Sequence, residues 1–303
     1  MWRNWRNCKL WVTHISSHKV CAISPIYENK IFVVKKPLFL SSAQYLGRIK
    51  RKYQFKKIGF SGTLDPFASG TLICASGQFT KLFSYLQKTP KVYVGTIWLG
   101  ATSDSLDIEN VSDISPNKKL HSDDIINVLG ELAKRCEIEY IPPKYSAKKV
   151  NGKRAYALAR EDKEVELKTS LMQIFDLSLV NYSHPFITYR AAVSEGSYIR
   201  SLSQIILSNL GAKGTMSYLR REQEGLFAYE NEKFLDVLAY LDLETNECTV
   251  DAVEKISYGK KLDVSDFKNK NNGIYMLNLD GFLSIIKIED SQVSYLLNRI
   301  KAC

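Results

Sequence analysis

Gly59-Phe60-Ser61-Gly62-Thr63-Leu64-Asp65-Pro66-Phe67-Ala68-Ser69-Gly70 is the stretch on which the reading of this chain turns. Its glycines mark a backbone that turns tightly or lies close against something. Asp65 is the one acid among them. Pro66 disfavours the helical region for the residue before it, so Asp65 is expected in extended backbone within a loop. Leu64, Phe67 and Ala68 around it are apolar. A carboxylate in such surroundings needs a cation or hydrogen bonds to stay ionised. Spacing alone favours a plainer reading, an Asp-Pro turn beside a tight loop.

Composition narrows what that carboxylate could serve. The chain has 303 residues, 45% of them hydrophobic, which allows one large domain with a substantial core and a small second one. A net charge of +10 suits a polyanionic partner, most often nucleic acid. A merely basic soluble protein fits the charge equally well. Cys8, Cys21, Cys74, Cys136, Cys248 and Cys303 are scattered, with no CxxC pair. That spacing fits a reducing cytoplasm and argues against a thiolate metal site. His14, His18, His121 and His184 are also dispersed, so a metal-dependent mechanism has little to build on. No apolar run reaches membrane-spanning length, and no signal-peptide core stands at the start.

Upstream of the glycine stretch, Ile31-Phe32-Val33-Val34-Lys35-Lys36-Pro37 reads as a short buried strand ended by a proline. Ser41 opens a helix, with Gln44 placed for a capping box and Tyr45, Leu46 and Ile49 as its apolar stripe. Arg48, Lys50, Arg51, Lys52, Lys56 and Lys57 crowd the approach to the glycines. Such a run is either a solvated face or a set of phosphate contacts. Residues 1–29 hold Trp2, Trp5 and Trp11 among Arg3, Arg6 and Lys9, without a clear period. They read as a poorly ordered extension, or a start codon assigned too early, in preference to an RNA-contacting arm.

Downstream, Phe83, Tyr85 and Leu86 have helix spacing up to Pro90, and residues 91–100 alternate as a strand. Ser122 reads as the cap of a helix with Asp123 and Asp124 in its first turn and Ile125, Ile126, Leu129 and Leu132 as its stripe. Residues 144–160 mix cations with Tyr145 and Tyr156, a combination suited to nucleic acid, although a helix with inward tyrosines fits part of it. Residues 164–193 are strand-like. Residues 196–202 form a strand-to-helix junction whose helix stops at Gly211. After about residue 245 the pattern changes. Gly259-Lys260-Lys261, residues 273–277 and residues 282–288 look like short strands, split by Asn271-Asn272-Gly273 and Asp280-Gly281.

Taken in order, these blocks resemble the bacterial TruB-type tRNA pseudouridine synthases. The likeness is carried by G-x-x-G-x-L-D-P-x-A-x-G-x-L at 59–72, G-x-x-T-K at 77–81, P-P-x-Y-S-A-x-K-x-x-G-x-x-A-Y-x-x-A-R at 142–160, G-x-Y-I-R-S-L at 196–202, and Leu219-Arg220-Arg221. It spans roughly residues 31–230. Lys35 stands where the family usually has an acid, and Phe60 where it commonly has a histidine. The resemblance implies an α+β pseudouridine-synthase fold over 30–245, a mixed, largely antiparallel sheet with flanking helices. A small β-rich, PUA-like RNA-binding domain follows over 246–303, and the extension 1–29 precedes both.

The implied reaction isomerises uridine to pseudouridine at position 55 in the TΨC loop of tRNA. It implies a cytoplasmic monomer with tRNA as partner, no membrane, no nucleotide or other cofactor, and no metal. Asp65 is the implied catalytic carboxylate and Arg200 its ion-pair partner. Tyr93 stacks on the base and assists the last deprotonation at C5. Phe60 fills the place left by the extracted base, Leu219 walls the pocket, Asp107 offers it a hydrogen bond, and Lys81 supports the site or a phosphate. Two rivals stay open. A non-enzymatic RNA-binding protein of this fold would have lost the acid or its arginine, and a carbohydrate glycosidase would need two carboxylates flanking one bond.

Overall fold

The computed structural model describes residues 29–146, 148–150, 153–155, 158 and 167–301. The readings made for 1–28, for Tyr156, and for the start of the strand-like run at 164–166 lie outside the described residues. The fold is α+β. Its main sheet holds β14 (Phe234–Leu235), β1 (Ile31–Lys36), β3 (Ala68–Ser76), β12 (Gly214–Glu224), β4 (Lys91–Leu99), β11 (Phe186–Val193), β10 (Ser170–Ser183) and β7 (Glu137–Tyr140), in that spatial order. The short β2 (Ile58–Ser61) pairs with β3, and β13 (Phe227–Ala228) with β12. Only the β3–β12 pairing is parallel, so the sheet is mixed and largely antiparallel. Two small hairpins lie apart from it, β5 (Ala101–Ser103) with β6 (Val111–Ile114), and β8 (Lys149–Val150) with β9 (Lys153–Arg154).

The apolar run in β1 has a simple cause. Side chains alternate along a strand, and here both faces are covered. Phe32 and Val34 join Ile49, Phe55, Leu72 and Cys74 under helix α1 (Ser42–Tyr53). Ile31 and Val33 point the other way, into a cluster shared with Leu283, Ile285 and Ile300 of the C-terminal sheet. The capping box at α1 is complete: Ser41 accepts from the Gln44 amide, and the Gln44 side chain accepts from the Ser41 amide. At the other end of the main sheet, α2 (Ser122–Lys134) and α3 (Ile199–Asn209) cover a core that includes Phe67, Ile97, Leu129, Tyr189 and Leu202.

Three local expectations are corrected. No α-helix follows Lys81; the segment makes two short 3₁₀ turns, Gly77–Lys81 and Phe83–Tyr85. Its backbone is engaged elsewhere, since the Gln87 amide donates to Tyr240 and the Asp242 amide to the Tyr85 carbonyl. Tertiary pairing there overrides the helical spacing of the apolar residues. Ser122 is the first helical residue of α2, and His121 occupies the cap without a side-chain bond. Asp123 and Asp124 compensate the first turn by charge instead. Finally, Gly259-Lys260-Lys261 is no strand. Gly259 ends helix α4 (Val250–Tyr258) in the left-handed conformation, with φ of 66°.

The C-terminal sheet runs β15 (Glu244–Thr245), β16 (Gly273–Leu279), β17 (Phe282–Glu289), β18 (Gln292–Lys301), and Asp280-Gly281 makes the turn between β16 and β17. It is stitched to the main sheet: the Asn29 side chain donates to the Lys301 carbonyl, and the Lys301 amide donates to the Gln78 side chain. Among the described residues no helix is long and apolar enough to cross a membrane.

Candidate active site

The loop between β2 and β3 carries Asp65, and its shape is fixed from three sides. The hydroxyl of buried Ser42 accepts from the Leu64 amide and donates to the Leu64 carbonyl, both at 3.0 Å. The Ala68 amide closes a turn on the Asp65 carbonyl, 3.0 Å. Gly62 lies at φ of 68°; a Cβ there would stand 2.7 Å from a Glu224 carboxylate oxygen. Gly70, at φ of 109°, passes so close to β12 that a Cβ would meet the Arg221 carbonyl at 2.1 Å. Neither backbone nor neighbour can yield there. Gly70→Ala is expected to cost about 3 kcal/mol or more of stability, read as a lower midpoint in urea unfolding.

Arg200 meets Asp65 from the first turn of α3. Its Nη2 stands 2.9 Å from Asp65 Oδ2, and its Nη1 stands 3.4 Å from Asp107 Oδ2. The same two nitrogens donate to the Ser105 carbonyl (2.7 Å) and the Tyr145 carbonyl (2.8 Å). The guanidinium is 2% exposed, so a planar fork is held at both prongs in a dry place. Asp107 is 4% exposed and is also spent on the Ser105 hydroxyl and the Glu109 amide. Asp65 differs in being 29% exposed, through the mouth of a cleft. Burial of the carboxyl pushes its pKa above the usual carboxylate value; Arg200 pulls it back, and the charge of Asp107 adds to the rise. The arrangement yields one reachable, poorly solvated carboxylate kept ionised by one fixed cation.

The cleft encloses about 510 Å³, within the range of pockets that hold small organic ligands. Asp65, Tyr93, Arg200 and Leu219 all line it, together with Lys91, Tyr140, Glu195, Tyr198 and Arg221. Tyr93 sits on β4 and Leu219 on β12, and both are buried. Asp107 lies behind Arg200 and does not reach the cleft wall. Phe60 and Lys81 stand outside the lining. Phe60 packs half-buried against the cluster under α1, and Lys81 is exposed at the end of its 3₁₀ turn.

Several residues at the site were given no role from the sequence. Lys36 is fully buried, with its ammonium donating to the carbonyls of Pro37, Leu40 and Pro66. Burial lowers its pKa to about 8, against the pull of the Asp65 charge. The alternation of Phe32, Val34 and Lys36 on one strand face could have shown it. Ser42, Lys91, Arg221 and Glu224 are the others, all of them buried.

The sheet and its long path of strands are matched in solved structures. A chain of a Cbf5-Nop10-Gar1 complex superposes with a TM-score of 0.64 at 20% identity, covering 91% of this chain and 85% of that one. A chain of the archaeal box H/ACA sRNP Nop10-Cbf5 complex gives 0.59 at 18% identity, covering 91% and 86%. At such identities the likeness is one of fold, and the fold is that of the pseudouridine synthases. The sequence narrows it. The N-terminal domain of the TruB family pseudouridylate synthases matches residues 50–199. The chain is 52% identical over 275 residues to tRNA pseudouridine synthase B of Campylobacter concisus (strain 13826), covering 91% of this chain and all of that relative. It is 52% identical over 272 residues to the protein of the same name from Sulfurovum sp. (strain NBC37-1), covering 90% and 97%. The chain belongs to the TruB family of pseudouridine synthases, a family of isomerases.

Proposed function

We propose that this chain converts uridine to pseudouridine in tRNA, at position 55 in the TΨC loop, with Asp65 as the catalytic carboxylate. The observation that carries the reading is the Asp65–Arg200 pair at 2.9 Å, with the acid reachable from the cleft and the arginine sealed behind it. In the reaction the C1′–N1 bond breaks, the uracil turns, and C1′ bonds to C5. The C5 proton is lost and N1 is protonated, so atoms and electrons balance without an outside reductant. Asp65 attacks C1′, assists removal of the 2′ hydrogen, or adds to the ring at C6. Each route needs a desolvated carboxylate that is ionised and aimed. Tyr93 offers a ring to the base and a phenol toward C5. Leu219 helps exclude water, which would otherwise hydrolyse the opened sugar.

The target uridine must leave its stack to enter the cleft, at a cost of a few kcal/mol. Exposed Arg48, Lys50, Arg51, Lys56 and Lys57 on and after α1 offset that cost through phosphate contacts. Phe60 and Lys81, outside the cleft lining, belong to this RNA-facing rim in our reading. The reading also divides the chain near residue 245 and gives the C-terminal sheet a supporting, PUA-like role in holding RNA.

The glycosidase alternative fails on charge. Asp107 is sealed and already bonded, and the other acid in the cleft, Glu195, is paired with Lys88 at 2.9 Å and Lys91 at 3.8 Å. Burial acts to raise Glu195, but those lysines hold it below the usual carboxylate range. A glycosidase acid needs the opposite shift. For a binding-only protein, nothing requires Asp65 and Arg200 to be kept and paired.

The test is tritium release from a tRNA transcript labelled at C5 of uridine. One equivalent is expected per tRNA, and none once the TΨC uridine is replaced by cytidine. No release from the first transcript would overturn the enzymatic reading, and undiminished release from the second would move the target elsewhere.

A further inference from the structure

The pairing of β4 with β12 sets two charged or polar residues of one strand opposite two of the other: Lys91 faces Glu224, and Tyr93 faces Arg221. Such directly opposed side chains have Cβ atoms about 5 Å apart. Arg221 and Glu224 are three residues apart and would leave opposite faces of a regular strand. The register shift between Arg221 and Gln223 brings both to one side. Glu224 is then completely buried between two cations, Lys91 Nζ at 3.0 Å and Arg221 Nη2 at 3.1 Å.

Arg221 is 1% exposed, yet its edge reaches the cleft. Its Nε donates to the Thr71 carbonyl at 2.9 Å, and its Nη2 donates to the Gly62 carbonyl at 2.7 Å. From the strand position opposite Tyr93, one guanidinium therefore holds both β3 and the loop that carries Asp65, and it shares the cleft lining with Tyr93. Burial acts to lower the Arg221 pKa, but the Tyr93 phenol and the Glu224 carboxylate push it above its usual value, so the cation is permanent. Arg200 does not reach this end of the cleft; its four contacts are all on the Asp65–Asp107 side.

We propose that Arg221, charged and held in place by Glu224, is a positioning residue that ties the Tyr93 phenol to the Gly62 carbonyl and so sets the spacing between Tyr93 and the Asp65 loop. This rests on the reading that uridine is isomerised in this cleft. Arg200 and Arg221 then divide the work, one serving the carboxylate and the other the ring above it. Gly62 follows from the same device, because only a residue without Cβ lets its carbonyl approach a guanidinium and carboxylate packed this closely.

A double-variant cycle decides it, read as single-turnover tritium release at saturating tRNA. Arg221→Lys keeps the charge and loses the fork, and is expected to slow conversion at least about tenfold with tRNA affinity within a few-fold. Tyr93→Phe is expected to be slow as well. In the Tyr93→Phe background, Arg221→Lys should add little, because the tie is already cut. Should Arg221→Lys fail to fold, Glu224→Gln, which removes the charge that holds Arg221, is run through the same cycle with the same expectation. Losses that multiply, a full-rate Arg221→Lys enzyme, or a full-rate Tyr93→Phe enzyme would each overturn the inference. A wild-type enzyme that releases no tritium would instead overturn the functional reading beneath it.

Discussion

Asp65→Asn is expected to abolish tritium release from C5-labelled tRNA, a loss of at least about 10⁴-fold, while tRNA binding stays within a few-fold. Asparagine keeps the shape and one acceptor oxygen, while it removes the charge and puts an NH2 donor in place of the other oxygen. The loop around it is held by groups other than the carboxylate: the Ser42 hydroxyl on Leu64, the Ala68 amide on the Asp65 carbonyl, and Arg221 on the Gly62 carbonyl. The exposed basic residues proposed to contact RNA lie outside this loop and are equally untouched. The wild-type pH profile should carry the same signature. Burial raises the Asp65 pKa, so the working ionised form disappears as pH falls through a value above the usual carboxylate range. The rate should therefore fall with decreasing pH sooner than an unperturbed aspartate would give. The sign for stability is the reverse. A folded pKa above the unfolded one means the native state binds that proton more tightly, so this group's contribution is present at low pH and lost as pH rises through the folded pKa. The ionised carboxylate is kept at a cost in stability. Measurable turnover by the asparagine variant would sink the assignment.

What could be read in advance follows from how local each signal is. The capping box at Ser41, the turn at Asp280-Gly281 and the buried run of β1 depend on a few neighbouring residues, and the structure holds all of them. The 3₁₀ turns after Ser76 were not legible, because residues 240–242, far off in sequence, take up the backbone there. The same split runs through the site. Asp65 and Arg200 read singly as an Asp-Pro turn and a helix-cap arginine, and stood out only because their motifs occur together and in order. Arg221 was quoted within a motif but given no role, although it follows Leu219 at strand spacing and two residues of alternation put both on the cleft side. Glu224 was illegible for a different reason: a register shift carries it to that face, and no period in the sequence announces a bulge. Lys36 continues a buried strand face and was hidden by the proline after it, which reads as the end of the strand.

Arg200→Lys tests whether geometry or charge matters more in this pair. The arginine makes four contacts with two nitrogens, bridging Asp65, Asp107 and two carbonyls. A lysine offers one compact ammonium that cannot reach both acids and both carbonyls at once. The expected loss at saturating tRNA is about 10² to 10³-fold, with binding little changed. Arg200→Gln removes the charge as well and leaves the Asp65 and Asp107 carboxylates without the cation they share, a defect of about 3–5 kcal/mol when a buried pair is broken. Because Arg200 pulls the Asp65 pKa down, its loss should move the acid limb of the rate profile to higher pH. Raising the pH should then recover part of the activity of Arg200→Gln and none of that of Asp65→Asn. That difference separates a residue that keeps the carboxylate ionised from the carboxylate itself. An Arg200→Lys enzyme with wild-type single-turnover rates, or an Arg200→Gln profile with an unmoved acid limb, would mean that Asp65 is held ionised by something other than the guanidinium 2.9 Å away.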